Sequence, residues 1–131
     1  MKIGFDAKRA FLNDTGLGNY SRDTIRVLGS FYPKNEYHLY TPKINNNNRL
    51  NFLHKNKQYK IHTPTNFLNK TLSGIWRSVR LTKELIKNKI ELYHGLSHEL
   101  PYNIEKTNIK TIVTIHDLIF IRYPEFFKKI D

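Results

Sequence analysis

The sequence contains no cysteine, which excludes a disulfide framework and any metal site built on thiolates. It also lacks an apolar run near the ~20 residues that a transmembrane helix requires. The longest apolar stretch, TIVTIHDLIFI, is interrupted by His116 and Asp117, and the opening residues MKIGFDAKRA lack the apolar segment of a signal peptide. We therefore expect a cytoplasmic location.

Acidic residues are scarce: 11 Asp and Glu stand against 22 Lys and Arg, which gives a formal net charge of +11. Such a chain attracts anions, which include nucleic acids, anionic lipid headgroups and phosphorylated small molecules. A lysine-rich solvated surface would give the same composition, so charge alone does not choose among these partners. The length of 131 residues and the hydrophobic fraction of 39% indicate one globular domain with a real core.

Strand and helix patterns alternate along the chain, which predicts an α/β fold with a parallel sheet. Five short apolar segments have the pattern of strands: 2–7, 36–42, 58–64, 90–96 and 110–120. The third should lie at an edge, whereas the β-branched run in the fifth is typical of a central strand that is buried on both faces. Apolar residues at helical spacing predict one helix over 20–31 and another over 72–89.

Three predicted strands end in residues that can carry chemistry. The first ends at Asp6 and leads toward the segment GLGNYS, the fourth ends at His94, and the fifth reaches His116 and Asp117. Ligands of open parallel sheets bind beyond the carboxyl ends of the strands. We therefore expect these residues to share one edge of the sheet, where a histidine could bond a sugar hydroxyl or a phosphate. A core histidine without a ligand is the alternative.

The segment GLGNYS fits the G-x-G-x-x-small pattern of a dinucleotide-binding turn, but two features argue against that interpretation. Eight residues separate Ala7 from Gly16, and no acidic residue ends the second strand to hold a ribose. A P-loop is excluded because no G-K-[ST] follows. We predict a loop over the sheet edge, in which Gly16 and Gly18 let the backbone approach a ligand and the next helix N-terminus holds a phosphate. A simple turn is the alternative.

A metal site is not expected. His94 and His98 in HGLSH have the i, i+4 spacing of a metal-binding helix, but Gly95 and Pro101 argue against a helix there. A His-Asp pair like that of His116 and Asp117 also occurs in metal-dependent phosphohydrolases. Those enzymes need further histidines and an aspartate on helices, whereas this pair lies at a predicted strand end.

Three segments, MKIGFDAKR…TGLGNYS, ELYHGLSHELP and IVTIHDLIFIRYPEFF, resemble in their order and separations the amino-terminal half of a GT-B glycosyltransferase. The resemblance is to the retaining group-one, or family-four, type of bacterial enzymes, which use sugar nucleotides to build lipopolysaccharide and capsule. It implies a Rossmann-like parallel sheet with flanking helices. It also implies a nucleoside diphosphate sugar as donor substrate, no cofactor, and a glycan or lipid-linked acceptor.

The same resemblance gives individual residues a role. Thr15 and Asn19 stand where the family commonly has glycine and arginine. His116 matches the catalytic histidine that reaches the donor sugar, Asp117 matches its structural partner, and His94 matches a position facing the acceptor cleft. Four residues match the glycine-rich loop that frames the donor diphosphate and the acceptor: Gly16, Leu17, Gly18 and Tyr20.

GT-B enzymes have a second, carboxy-terminal domain that binds the sugar nucleotide and carries a glutamate pair, and nothing in residues 1–131 matches it. We therefore expect one truncated N-terminal domain that is inactive alone. Lipid-linked acceptors would give the positive charge a role in peripheral contact with an anionic membrane at the inner face. The residues expected to make that contact share one face of the second predicted helix: Arg77, Arg80, Lys83 and Lys87. The alternative is that this helix face is only solvated.

The alternative function is a basic nucleic-acid- or phosphate-binding α/β module without catalysis. Tyrosines and lysines are plentiful, as they are in proteins that bind single strands. However, the basic residues are scattered, and no strand interleaves aromatic and basic residues as an RNA-recognition motif does. We therefore expect no nucleic-acid partner.

Overall fold

Five strands form one parallel sheet in the computed structural model, which describes residues 1–45, 47–64 and 80–126. The strands are β1 (Lys2–Asp6), β2 (Glu36–Tyr40), β3 (Tyr59–His62), β4 (Leu92–Gly95) and β5 (Lys110–Val113). Their order across the sheet is β3-β2-β1-β4-β5, and every neighbouring pair is parallel. The predicted α/β, Rossmann-like fold is therefore confirmed, and β3 lies at an edge as expected.

Helices flank this sheet and connect its strands. Within the described ranges, five are α-helices: α1 (Lys8–Leu12), α2 (Gly16–Phe31), α3 (Phe52–Lys55), α4 (Leu81–Lys87) and α5 (Ile119–Arg122). Three single 3₁₀ turns occur at Asn48–Leu50, Ile104–Lys106 and Pro124–Phe126. Of the predicted helix 72–89, the part over 72–79 lies outside the described residues, and α4 forms the rest. No helix in the described ranges is long and apolar enough to cross a membrane.

The sheet separates two layers of core, because successive strand residues point to opposite faces. On one face, Phe5 and Leu39 pack with Ile25 of α2, and all three are fully buried. On the other face, Tyr93 packs with Leu85 of α4. β1 lies at the centre of the order and contributes to the burial of both layers.

The prediction that the fifth strand is central and buried on both faces is wrong. β5 is an edge strand of the described sheet, all four of its residues are exposed, and it ends at Val113 rather than near residue 120. The segment 119–122 is helical instead, as α5. β-branched residues indicate that a segment forms a strand with apolar faces, but they do not determine the position of that strand in the sheet. The central place belongs to β1.

Candidate functional site

The first turns of α2 meet the carboxyl ends of β4 and β5 through one threonine. The Tyr20 hydroxyl of α2 lies 3.1 Å from Thr114 Oγ1, just beyond β5. The His94 Nε2 of β4 lies 2.8 Å from the same Oγ1. A threonine hydroxyl has one proton and two acceptor lone pairs, so Thr114 can donate to only one of these partners and can accept from either. We call Tyr20, His94, Thr114 and His116 the rim cluster.

His116 completes the rim cluster by packing against Tyr20. The two rings meet edge to face, with centroids 4.9 Å apart and an interplanar angle of 89°. The His116 Nε2 lies 2.8 Å from the carbonyl oxygen of Leu96. A carbonyl oxygen only accepts, so Nε2 carries a proton, and Nδ1 of the neutral ring is left as an acceptor. His116 is half-buried.

The His94 side chain packs against β1. Its ring lies 5.9 Å from the ring of Phe5, and the side chain is half-buried. Burial lowers the pKa of His94 below its usual value, which favours the neutral imidazole. The rim cluster therefore contains a bonded series of neutral hydroxyl and imidazole groups, and such groups recognise hydroxyls well.

His98 belongs beside the rim cluster, and the sequence considered it only as a metal ligand. Its backbone φ is 60°, in the left-handed region that non-glycine residues rarely adopt. Its N–H donates to the Thr114 carbonyl at 3.0 Å, and its Nε2 lies 3.4 Å from the backbone nitrogen of His116. Strained backbone of this kind is found preferentially at functional sites. No sequence feature indicated the positive φ.

The predicted glycine loop is helical, so this prediction is wrong. α1 occupies most of the segment that was expected to be loop, and Gly16 is the first residue of α2. Asn13 Oδ1 accepts from the N–H groups of Thr15 and Gly18, both at 3.0 Å, and so caps the helix from outside. A Cβ on Gly18 would overlap the Asn13 carbonyl, whereas a Cβ on Gly16 would meet no atom within 4 Å. Gly18 thus serves the packing of α1 against α2.

Two arginines border the first turn of α2. Arg22 is buried, and its guanidinium donates to the carbonyl oxygens of Ala10 and Asn13 at 2.9 and 2.8 Å. It also donates to Asn19 Oδ1 at 2.8 Å. Arg49 is exposed, and its Nη1 lies 3.4 Å from the same Asn19 oxygen. Arg49 therefore brings a guanidinium close to Asn19 from elsewhere in the chain.

The remaining predicted site residues lie apart from the rim cluster's hydrogen bonds. Leu17 is half-buried in α2, and its carbonyl accepts from Ser21 Oγ. Asp117 Oδ1 accepts from the Ile119 N–H at 3.2 Å, which holds the start of α5. In the proposed membrane patch, three residues are exposed along α4 and its start, while Arg77 lies outside the described residues: Arg80, Lys83 and Lys87.

Two further histidines, His38 on β2 and His62 on β3, form a pair outside the rim cluster. His38 Nδ1 is 2.9 Å from His62 Nε2, and the two rings are stacked with centroids 5.0 Å apart. Burial, together with the charges of His38 and Lys60, lowers the pKa of His62 to about 4. This pair is neutral near neutral pH. Among the described residues, no group of three or more His, Asp or Glu side chains is arranged to bind a metal ion.

Comparison with known proteins leaves the family of this chain open. No protein-family model matches it, and neither the curated proteins nor the solved structures give a significant match. The functional assignment therefore depends on the fold and on the geometry of the rim cluster.

Proposed function

We propose that this chain is the N-terminal, acceptor-side domain of a retaining, sugar-nucleotide-dependent GT-B glycosyltransferase that acts in polysaccharide or lipopolysaccharide synthesis. One observation carries the proposal: at the carboxyl edge of a parallel sheet, Tyr20 and His94 both meet Thr114, and His116 packs against Tyr20. This is the edge where open α/β sheets bind ligands. The sequence motifs that resemble the family contribute all three of these side chains.

The rim cluster suits a sugar hydroxyl. The hydroxyls of Tyr20 and Thr114 can each donate and accept a hydrogen bond, and while His116 Nε2 donates to Leu96 its Nδ1 can accept a hydrogen bond from a bound hydroxyl. In the proposed reaction, His116 is the catalytic residue that contacts the donor sugar, and His94 faces the acceptor. The hydrogen bond from His116 Nε2 to Leu96 fixes the ring in that orientation.

The start of α2 suits a phosphate. First-turn N–H groups of an α-helix have no partner within the helix, and that of Gly18 is taken by Asn13. Those of Gly16 and Leu17 can bind an anionic oxygen, and the exposed guanidinium of Arg49 adds positive charge nearby. Glycosyl transfer builds negative charge on the leaving diphosphate, so stabilising that charge is the main electrostatic requirement. We expect most of that stabilisation from a second, nucleotide-binding domain.

The proposal is tested by NMR titration of the ¹⁵N-labelled chain with a short-chain polyprenyl diphosphate sugar. We expect shift changes in the amides of Gly16, Leu17 and Tyr20 and in the imidazole of His116. His116→Gln should weaken binding by about tenfold, the effect of losing one hydrogen bond of ~1.4 kcal/mol. The matched control is His54→Gln, since His54 is exposed on α3, and it should bind normally.

Two outcomes would contradict the proposal. One is the absence of any shift change at the rim cluster with the polyprenyl diphosphate sugar or with nucleoside diphosphate sugars. The other is tight binding of a single-stranded oligonucleotide at moderate salt without a response to either sugar compound. That second outcome would favour the basic nucleic-acid-binding alternative, to which the net charge of +11 also points.

A further inference from the structure

A cavity of about 600 Å³ lies where β4 and β5 begin, at the edge of the sheet opposite to the rim cluster. Residues from the end of α4, from the start of β4 and from the turn before β5 line it. These segments meet because β4 and β5 are parallel neighbours whose first residues lie side by side. We call this cavity, lined mainly by residues of 86–91 and 106–110, the amino-edge cavity.

Three lysines line the amino-edge cavity: Lys89, Lys106 and Lys110. All three are exposed, and no ion pair within the described part of the chain involves any of them. The lining also contains the carboxylate of Glu91, whose Oε2 accepts a hydrogen bond from the backbone N–H of Lys2 at 2.6 Å. The lining side chains therefore carry a formal net charge of +2. Like charges around one cavity repel one another, and a bound anion would relieve that repulsion.

Part of the lining is apolar. Three isoleucines contribute to it, Ile86, Ile90 and Ile109, and Ile86 is exposed by 56%. An inorganic anion would neutralise the lysines but would leave this apolar surface in contact with water. A ligand that combines an anionic group with an apolar body would cover both kinds of surface, which adds the hydrophobic effect to the attraction between charges.

Lys89 has a backbone conformation that is usual for glycine. Its φ is 56°, and it lies just beyond the end of α4, where the N–H of Ile90 donates to the carbonyl oxygen of Leu85 at 3.0 Å. Glycine is the common residue at such a helix end, because it has no Cβ to oppose a left-handed φ. A lysine at this position is less favourable for the backbone, but it adds a positive charge to the amino-edge cavity.

We propose that the amino-edge cavity binds a phosphate monoester that carries an apolar body. Such a phosphate has a charge of about −1.5 to −2 near neutral pH, which matches the net charge of +2 on the lining side chains. Lysine ammonium groups bind phosphate as point charges. The volume of about 600 Å³ also lies within the roughly 300–1,000 Å³ of small-molecule sites. A soluble compound and the headgroup of phosphatidic acid in a membrane both present this chemistry.

NMR titration of the ¹⁵N-labelled chain with phenyl phosphate tests the proposal. We expect shift changes in the amides of Lys89, Asn108 and Lys110, and weaker binding of inorganic phosphate, which lacks the apolar body. Lys106→Gln should raise the Kd of phenyl phosphate by about fivefold, because it removes one charge from the lining. The matched control is Lys55→Gln, which removes the charge of an exposed lysine on α3 and should leave the Kd unchanged.

Two more variants separate a role in binding from a role in folding. Lys89→Gly removes a charge and suits the left-handed φ, so it should unfold at the same or a higher urea concentration while the Kd of phenyl phosphate rises by about fivefold. Ile86→Gln should reduce the preference for phenyl phosphate over inorganic phosphate, because it removes exposed apolar surface from the lining.

Vesicles distinguish the two sources of the phosphate. Sedimentation of the chain with phosphatidylcholine vesicles that contain phosphatidic acid, reduced by Lys106→Gln, supports the site with a lipid headgroup as its ligand. Binding of phenyl phosphate without sedimentation supports the site with a soluble ligand.

Two results overturn the proposal. One is the absence of shift changes at the amino-edge cavity with millimolar phenyl phosphate. The other is equal weakening of binding by Lys106→Gln and Lys55→Gln, because attraction to the net charge of +11 would then explain the binding. Neither result bears on the proposed glycosyltransferase function, since the rim cluster lies at the opposite edge of the sheet.

Discussion

Replacing Gly18 by alanine should destabilise the fold, whereas the same replacement at Gly16, two residues earlier on α2, should not. Both glycines are in the first turn of the helix, so their local conformations are alike. Their surroundings differ. A Cβ at position 18 would overlap the Asn13 carbonyl and lie 3.1 Å from Arg22 Nη1, while a Cβ at position 16 would meet no atom within 4 Å.

The cost at Gly18 follows from what the methyl group must displace. Backbone cannot rotate out of the way, so the turn between α1 and α2 must move, which costs roughly 1–3 kcal/mol as overpacking. That movement also stretches the bond from the buried Arg22 guanidinium to Asn13, and hydrogen bonds of charged groups are worth about 1.5–3 kcal/mol. Alanine returns up to ~1 kcal/mol through its better helix propensity. We therefore expect a net loss of about 3 kcal/mol for Gly18→Ala.

At Gly16 an added methyl group meets no neighbouring atom, so only the better helix propensity of alanine changes the stability. Gly16→Ala should therefore be neutral or stabilising by about 0.5 kcal/mol. Urea unfolding followed by circular dichroism measures both variants against the native chain. With an m-value of roughly 1–3 kcal/mol per molar urea, the Gly18 variant should unfold at a urea concentration about 1–3 M lower. Equal midpoints for the two variants would refute the conclusion that Gly18 is required by packing against Asn13.

Two further predictions concern histidines. Burial lowers the pKa of His62 to about 4, below the ~6.5 of a histidine in an unfolded chain. Between these two pH values the unfolded state binds more protons than the folded state. The free energy of unfolding should therefore decrease by on the order of 2 kcal/mol as the pH falls from about 6.5 to about 4. Urea midpoints measured between these pH values should change less in His62→Gln, and an unchanged pH dependence would contradict the assignment. Thr114→Val should cost about 1 kcal/mol in the same assay, because the hydroxyl between Tyr20 and His94 is lost. A stability equal to that of the native chain, with unchanged imidazole NMR signals of His94, would show that these bonds do not form.

The sheet could be predicted from the sequence because its strands are short, apolar and separated by helical patterns. β1 and β2 begin where their patterns begin and end within one or two residues of them. The place of β5 could not be predicted, since strand order depends on contacts between segments that are far apart in the chain. The same β-branched residues that favour a central strand also make an apolar edge, and only the fold distinguishes the two.

The glycine segment shows a different limit of sequence patterns. Two glycines two residues apart are typical of a loop, because glycine lowers helix propensity. Here the cap is supplied by Asn13, three residues before the helix begins, and the close approach of α1 requires a residue without a side chain at position 18. Neither contact is visible in a pattern of residue types, so the helix start was placed too late.

The rim cluster was partly predictable. His94 and His116 follow from the rule that strand ends share one edge of a parallel sheet, and the structure places them there. Tyr20 lies on α2 and was singled out only through the resemblance. Thr114 was missed because a threonine in a β-branched run looks like any other strand residue. His98 was missed because its contribution depends on a positive φ, which residue type does not reveal.

The chemistry of the rim cluster bears on which part of a glycosyl donor this chain could select. The bonded series from Tyr20 through Thr114 to His94 contains no charged group, because burial holds the pKa of His94 below its usual value. Neutral donors and acceptors in fixed positions discriminate strongly between a hydroxyl and its absence. A diphosphate instead needs positive charge, which Arg49 provides at the start of α2. If the proposed function is correct, substitutions in the rim cluster should change the choice of sugar. Arg49→Gln should instead reduce the salt dependence of binding, since it removes a charge and leaves the hydroxyl contacts in place.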